Sequence, residues 1–171
     1  MYLASITLVK TLPCLAEPGK IIVIGKPNRS LDSVIPYLAT LPGIIAYNPH
    51  TLTLTFRRPA GFMALYPDQI YITQVKDSDE GLELLEALKD AVNAVWDKRD
   101  ELTAITQERK APKPLDVWSL LPRTNCRQCG EATCMAFAVG VIQQKRQVEE
   151  CPPLKDDPAF SERLAALQGL V

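Results

Sequence analysis

Over the first 76 positions, short β-branched runs alternate with turn-forming residues. The runs ITLV and IIVIG are separated by AEPGK, which reads as two strands joined by a turn. In RSLDSVIPYLATLPG, Ser30, Asp32 or Ser33 can cap a helix, Pro36 falls in a first turn that tolerates proline, and Gly43 ends it. In HTLTLTFRR, Leu52, Leu54 and Phe56 alternate with threonines, the period of a half-buried strand. FMALYPDQIYITQV predicts a hairpin turning at Pro67 and Asp68. Together these predict an antiparallel sheet with a helix on one face.

A long helix is expected from about 79 to 103, starting at Asp77 or Ser78. Leu82, Leu85, Leu88, Val92, Val95 and Trp96 recur at three- and four-residue intervals and should pack on the sheet. The opposite face is charge-mixed and reads as solvated surface. QERKAPKPLD then breaks the periodicity with two prolines and reads as a linker. The predicted organisation is an α+β domain over 1–105, a linker over 106–114, a small, mainly helical four-cysteine domain over 115–157, and a helical tail over 158–171. The fold class is α+β, an antiparallel sheet with one or two packed helices followed by the small domain.

Charge changes this picture little. Nineteen Lys and Arg against 20 Asp and Glu leave a net charge of −1, which offers no general pull on nucleic acid. Lys10, Pro13 and Glu17 break the N-terminal apolar run, so neither a signal peptide nor a membrane span is expected. Five cysteines without an export signal point to the reducing cytoplasm, and to metal ligation or redox chemistry rather than disulfides.

The chemistry concentrates in LLPRTNCRQCGEATCMAFAVG, where the spacing is Cys126-x2-Cys129-x4-Cys134-x16-Cys151. The close pair can chelate from one tight turn, which Gly130 relaxes, and neighbouring amides can point at a negative centre. Cys134 begins a predicted helix whose face also carries Phe137, Ala138, Val141 and Ile142. A continuous helix would carry Cys151 roughly 25 Å from Cys134 at ~1.5 Å per residue. One shared site therefore requires the helix to stop near Gln143–Lys145 and RQVEEC to fold back, while Pro152 and Pro153 bar a helix from running on past Cys151. A structural zinc usually joins two close pairs, whereas one pair, a third cysteine and a distant Cys-Pro suit an iron–sulfur cubane; spacing leaves both occupants open.

Leu115 to Leu154 resembles the small four-cysteine [4Fe–4S] domain of the corrinoid iron–sulfur protein large subunit, a module also found in RnfB-type electron-transport subunits. The resemblance rests on the LP before the loop, the NC-x-x-CG-x-x-x-C core, the FA after the third cysteine and the terminal CP. It implies a [4Fe–4S] cofactor with Cys126, Cys129, Cys134 and Cys151 as its ligands. The module often has Gly after its first cysteine, where this chain has Arg127. Residues 1–105 do not resemble the barrel and cobalamin-binding domains of the corrinoid protein; the whole chain looks like a stand-alone iron–sulfur cluster protein.

The resulting expectation is one-electron transfer to or from a redox partner protein or low-potential cofactor, a corrinoid-related partner among them. The competing expectation is a binding or regulatory module whose cluster, or zinc, is structural. No general acid–base pair or activated nucleophile can be assembled, so a carrier or binding protein is expected rather than an enzyme. Cys14 reads as a buried small residue, His50 as a turn residue, and Trp118 and Phe137 as packing beside the site. Arg57 and Arg58, like Lys26 and Arg29, match no phosphate-loop pattern.

Overall fold

The computed structural model describes residues 1–170, and the chain forms two compact units, Met1–Lys110 and a second from Ala111 onward. The α+β class holds. In the first unit seven strands form one sheet: β1 (Ile6–Pro13), β2 (Ile21–Pro27), β3 (Ile44–Asn48), β4 (Thr53–Arg57), β5 (Phe62–Leu65), β6 (Ile70–Val75) and β7 (Arg109–Lys110). Their order is β1-β2-β6-β5-β4-β3-β7, with every pairing antiparallel. The β5–β6 hairpin turns through Pro67 and Asp68, closed by the Tyr66 amide donating to the Gln69 carbonyl at 2.8 Å.

Helix α2 (Ser78–Asp97) begins where Asp77 accepts a bond from the Glu80 amide at 2.9 Å. Its Leu85, Leu88, Val92 and Val95 join Val23, Leu54, Leu65, Ile70 and Ile72 of the sheet in one buried cluster. The predicted stripe needs one correction, because Leu82 is 52% exposed. Gly81 takes the inward position of that turn instead. A Cβ there would sit 2.7 Å from a methyl of Val23, so the helix start lies on the sheet only because position 81 has no side chain.

The first predicted helix shrinks to α1 (Ile35–Leu38), a single turn with Pro36 at its start. Asp32 accepts from the Ser33 amide next to it, forming a local turn rather than a cap. The predicted strand around Leu52 starts one residue later, at Thr53, because Leu52 lies in the turn at φ +51°. Within the stretch read as a linker, Arg109 and Lys110 pair with Tyr47 and Ala46, and the Arg109 guanidinium donates to the Ala39 carbonyl.

The second unit contains α3 (Pro114–Leu120), α4 (Cys134–Ile142), α5 (Pro152–Asp156) and α6 (Ser161–Leu170). Val117 and Leu121, Phe137, Ala138 and Val141 of α4, Leu154 of α5 and Leu167 of α6 form its core. Helix α6 packs on α3 and α5 and places Leu167 in this core. No helix among the described residues is long and apolar enough to cross a membrane.

The Gly81 contact yields a test. Gly81→Ala should destabilise the first unit by about 1–3 kcal/mol despite alanine's better helix propensity, because stiff, fully buried Val23 cannot yield. Urea unfolding followed by Trp96 fluorescence in a Trp118→Phe background would show this as a lower midpoint; a higher one would contradict the close approach.

Candidate metal centre

The loop before α4 is built on left-handed backbone. Arg123, Asn125 and Arg127 stand at φ +63°, +50° and +62°, and Gly130 follows at +88°. Each non-glycine residue in that region costs roughly 1 kcal/mol or more, asparagine least. Left-handed residues alternating with others form the backbone pattern of anion-binding concavities, in which successive amides turn to one side. The loop is fastened to α4 by a reciprocal pair. The Cys134 amide donates to Asn125 Oδ1 at 2.8 Å, and the Asn125 amide donates to Cys134 Sγ at 3.4 Å. Thr133 caps the helix by accepting from the Ala136 amide at 3.1 Å, which leaves Cys134 in the first turn.

Helix α4 stops at Ile142, as a shared site requires. Gln144 turns left-handed at φ +58°, and the amides of Lys145 and Arg146 both donate to the Gly140 carbonyl, at 2.9 and 3.2 Å. The chain folds back through a 3-10 turn (Val148–Glu150) and delivers Cys151 into the core, 6% exposed. The expectation for Pro152 and Pro153 is refined here. No helix runs through Cys151, but the two prolines open α5 immediately after it, where a missing amide hydrogen does no harm.

Arg146 clamps this fold-back. Its Nε and Nη2 reach Glu131 Oε1 at 2.9 and 2.8 Å, and its Nη1 reaches Glu150 Oε2 at 3.4 Å. Glu131 lies between Cys129 and Cys134, and Glu150 directly precedes Cys151, so one guanidinium ties the loop to the segment carrying the last cysteine. Gly140 makes room for it: a Cβ there would meet the Arg146 stem at 2.9 Å.

Cys126, Cys129, Cys134 and Cys151 line one small pocket, closed by Leu121, Pro122, Thr124, Asn125, Arg127, Glu131, Thr133 and Phe137. All four cysteines are free thiols. Their environments differ. Cys126 is exposed, and the Gln128 amide and Thr124 hydroxyl pull its thiol below the ordinary range. Burial pushes the Cys151 thiol up, and charge on the other three cysteines adds to that rise. Among the described residues, no group of three or more His, Cys, Asp or Glu side chains is arranged to hold a metal ion as it stands. What joins the four is the shared pocket wall. The donor set nevertheless fits an iron–sulfur centre: four thiols, amides turned towards one of them, and apolar Leu121 and Phe137 behind.

Residues 121–153 match the family model described as "Putative Fe-S cluster". Among curated proteins, the acetyl-CoA decarbonylase/synthase complex subunit gamma of Methanosarcina acetivorans is 45% identical over 62 residues, 36% of this chain and 13% of that one. The subunits of the same name from Methanothermobacter thermautotrophicus and Methanocaldococcus jannaschii are 49% identical over 43 residues and 40% over 57. Those matches cover 25% and 33% of this chain, and 9% and 12% of the relatives. The family model supports an iron–sulfur protein. The matched stretch spans 13% or less of the length of these relatives. No solved structure matches the chain.

The remaining sequence candidates lie elsewhere. Cys14 is buried in the first unit, with burial raising its thiol and the amides of Glu17, Gln74 and Ala16 together bringing it lower. His50 is exposed in a turn held by Asn48 Oδ1, which accepts from the amides of His50 and Thr51. Arg58 is occupied by the Thr73 carbonyl at 2.7 Å and by Glu80 at 4.0 Å, and Arg29 covers the Tyr2 ring. Phe137 lines the pocket, whereas Trp118 is half-buried under Arg123. Asn125, Glu131, Arg146 and Glu150 were missed by sequence reasoning. The i, i+4 spacing of Arg146 and Glu150 was a visible signal, but pairing with Glu131 across the fold-back was not.

Breaking the clamp should loosen the second unit selectively. Arg146→Gln should lower its stability modestly, because the network it breaks is charge-assisted but partly exposed and screened by solvent. Hydrogen exchange should show lost protection in α4 and around Cys151 with β2 and β6 unchanged; equal protection throughout would contradict the clamp.

Proposed function

We propose that the chain is a [4Fe–4S] protein whose cluster is held by Cys126, Cys129, Cys134 and Cys151, and that it transfers single electrons to or from a partner protein. The carrying observation is that a loop, a helix start and a folded-back segment bring these four cysteines to the wall of one pocket. A cubane bound by four thiolates has no open iron position and exchanges one electron at a time, so transfer rather than Lewis-acid chemistry is what it supplies.

The residues around the pocket divide the remaining work. Asn125 orients Cys134, Arg146 holds the Cys151 segment against the loop, and Leu121 and Phe137 keep water from the inner wall. The backbone amides that already lower the Cys126 thiol favour its ionised form, which ligation requires. Loading asks the exposed lip, residues 123–128, to close on the buried Cys151 side. The acceptor in this reading is a low-potential partner protein, a corrinoid-bearing one included; the resemblance to the corrinoid iron–sulfur module and relatives named as subunits of a complex support a protein partner.

A second reading has an observation of its own. Cys151 belongs to the hydrophobic core of the second unit, with Cys129 and Cys134 packed against it, so a bound centre would also stabilise that unit. Anaerobic reconstitution and EPR separate the two. Electron transfer predicts that dithionite converts a silent protein into one with a fast-relaxing spin-one-half signal. A cluster that stays silent at every accessible potential would leave only the structural role.

A further inference from the structure

Arg127 lines the cysteine pocket and Arg123 directly precedes the lining residue Thr124; neither arginine forms an ion pair among the described residues. Arg123 and Arg127 are both exposed. The acids of this unit that pair with an arginine, Glu131 and Glu150, both pair with Arg146 instead. Arg127 lines the pocket directly beside exposed Cys126. Arg123 lies 5.4 Å from the centre of the Trp118 ring, a stacking that orders the guanidinium plane and leaves its N–H edges free for carboxylates.

The backbone makes Arg127 hard to explain as packing. At φ +62° glycine is the unstrained occupant, and a side chain there is held against a conformational cost without an ion-pair partner among the described residues. Arg123, at φ +63°, carries the same cost four residues earlier. The rim is also polarised. Beyond Gln128 the surface turns acidic, where Asp156 and Asp157 flank a shallow cleft with Pro152 and Pro153. A partner with a negative face would therefore be drawn to the Cys126 side of the site and turned away from the Asp156 side.

We propose that Arg123 and Arg127 form the docking rim at which an acidic redox-partner protein meets the cysteine site. This rests on the electron-transfer reading above. It identifies the partner by its charge and the entry edge by its residues.

Stopped-flow oxidation of the dithionite-reduced, cluster-loaded full chain tests it with three probes. These are the anionic tris(oxalato)cobaltate(III), the cationic hexaamminecobalt(III) and an acidic bacterial ferredoxin. The anion-to-cation rate ratio cancels any change in the chain's own potential. Arg127→Gln and Arg123→Gln should each lower that ratio at least about threefold at low salt, and both together further. Exchange with the ferredoxin should slow in the same variants, with the difference vanishing at high salt. Arg127→Gly, which suits the left-handed backbone, should show the same kinetic loss while folding at least as stably, so misfolding cannot explain it.

A readout independent of electron transfer is line broadening of the arginine Nε–H signals by the redox-inert anion hexacyanochromate(III). It should centre on Arg123 and Arg127. A shifted potential with an unchanged ratio would overturn the proposal, making the arginines tuners of the cluster only. A response to the small anion but none to the ferredoxin would overturn it in favour of a small-anion site. A protein that dithionite cannot reduce would instead remove the electron-transfer reading itself, and this proposal with it.

Discussion

The second unit depends on one geometric constraint: a fourth sulfur seventeen residues beyond the third must return to the same pocket. A straight helix would carry it away, so α4 ends at Ile142, Gln144 takes a left-handed turn and the chain doubles back. Most of the local features described above serve that return. Gly140 is small because the Arg146 stem crosses it, and Arg146 spans from Glu131 to Glu150 because these residues flank the two parts of the site. Pro152 and Pro153 begin a new helix once the cysteine has been delivered.

The same constraint explains where strain is stored. Three non-glycine residues between Leu121 and Gly130 adopt left-handed backbone, and Asn125 sets a side-chain bond to the Cys134 amide against that cost. The buried wall, with Cys151, Leu121 and Phe137, is fixed by packing, whereas the lip carrying Cys126 and Arg127 is exposed. A site that is rigid on one side and open on the other suits loading from solvent and contact with another protein at the open edge.

The sheet was legible in the sequence because its signals are local. Alternation around Leu54, the Pro67–Asp68 turn and the stripe of Leu85, Leu88, Val92 and Val95 each lie within one element. The errors arise where a distant residue decides. Leu82 fits the helical period, yet the close approach of α2 to Val23 gives the inward place to Gly81. The helix around Pro36 shortens to one turn, and the Leu31 amide before it bonds the distant Pro67 carbonyl at 2.7 Å. Arg109 and Lys110 look like linker until β3 offers them an edge. In the second unit the cysteine spacing was plain, as was the need for a fold-back. The clamp was hidden because Glu131 and Arg146 are fifteen residues apart and meet only after the chain has turned.

The central claim is that this pocket holds one four-iron cluster on four cysteine sulfurs. Native mass spectrometry of the anaerobically loaded chain tests it most directly. The account predicts a mass increment of a single [4Fe–4S] unit per chain, with the protons of four thiols lost, and no such stable species once Cys151→Ser removes the folded-back ligand. A single zinc per chain, or an intact four-iron adduct that persists without Cys151, would contradict it.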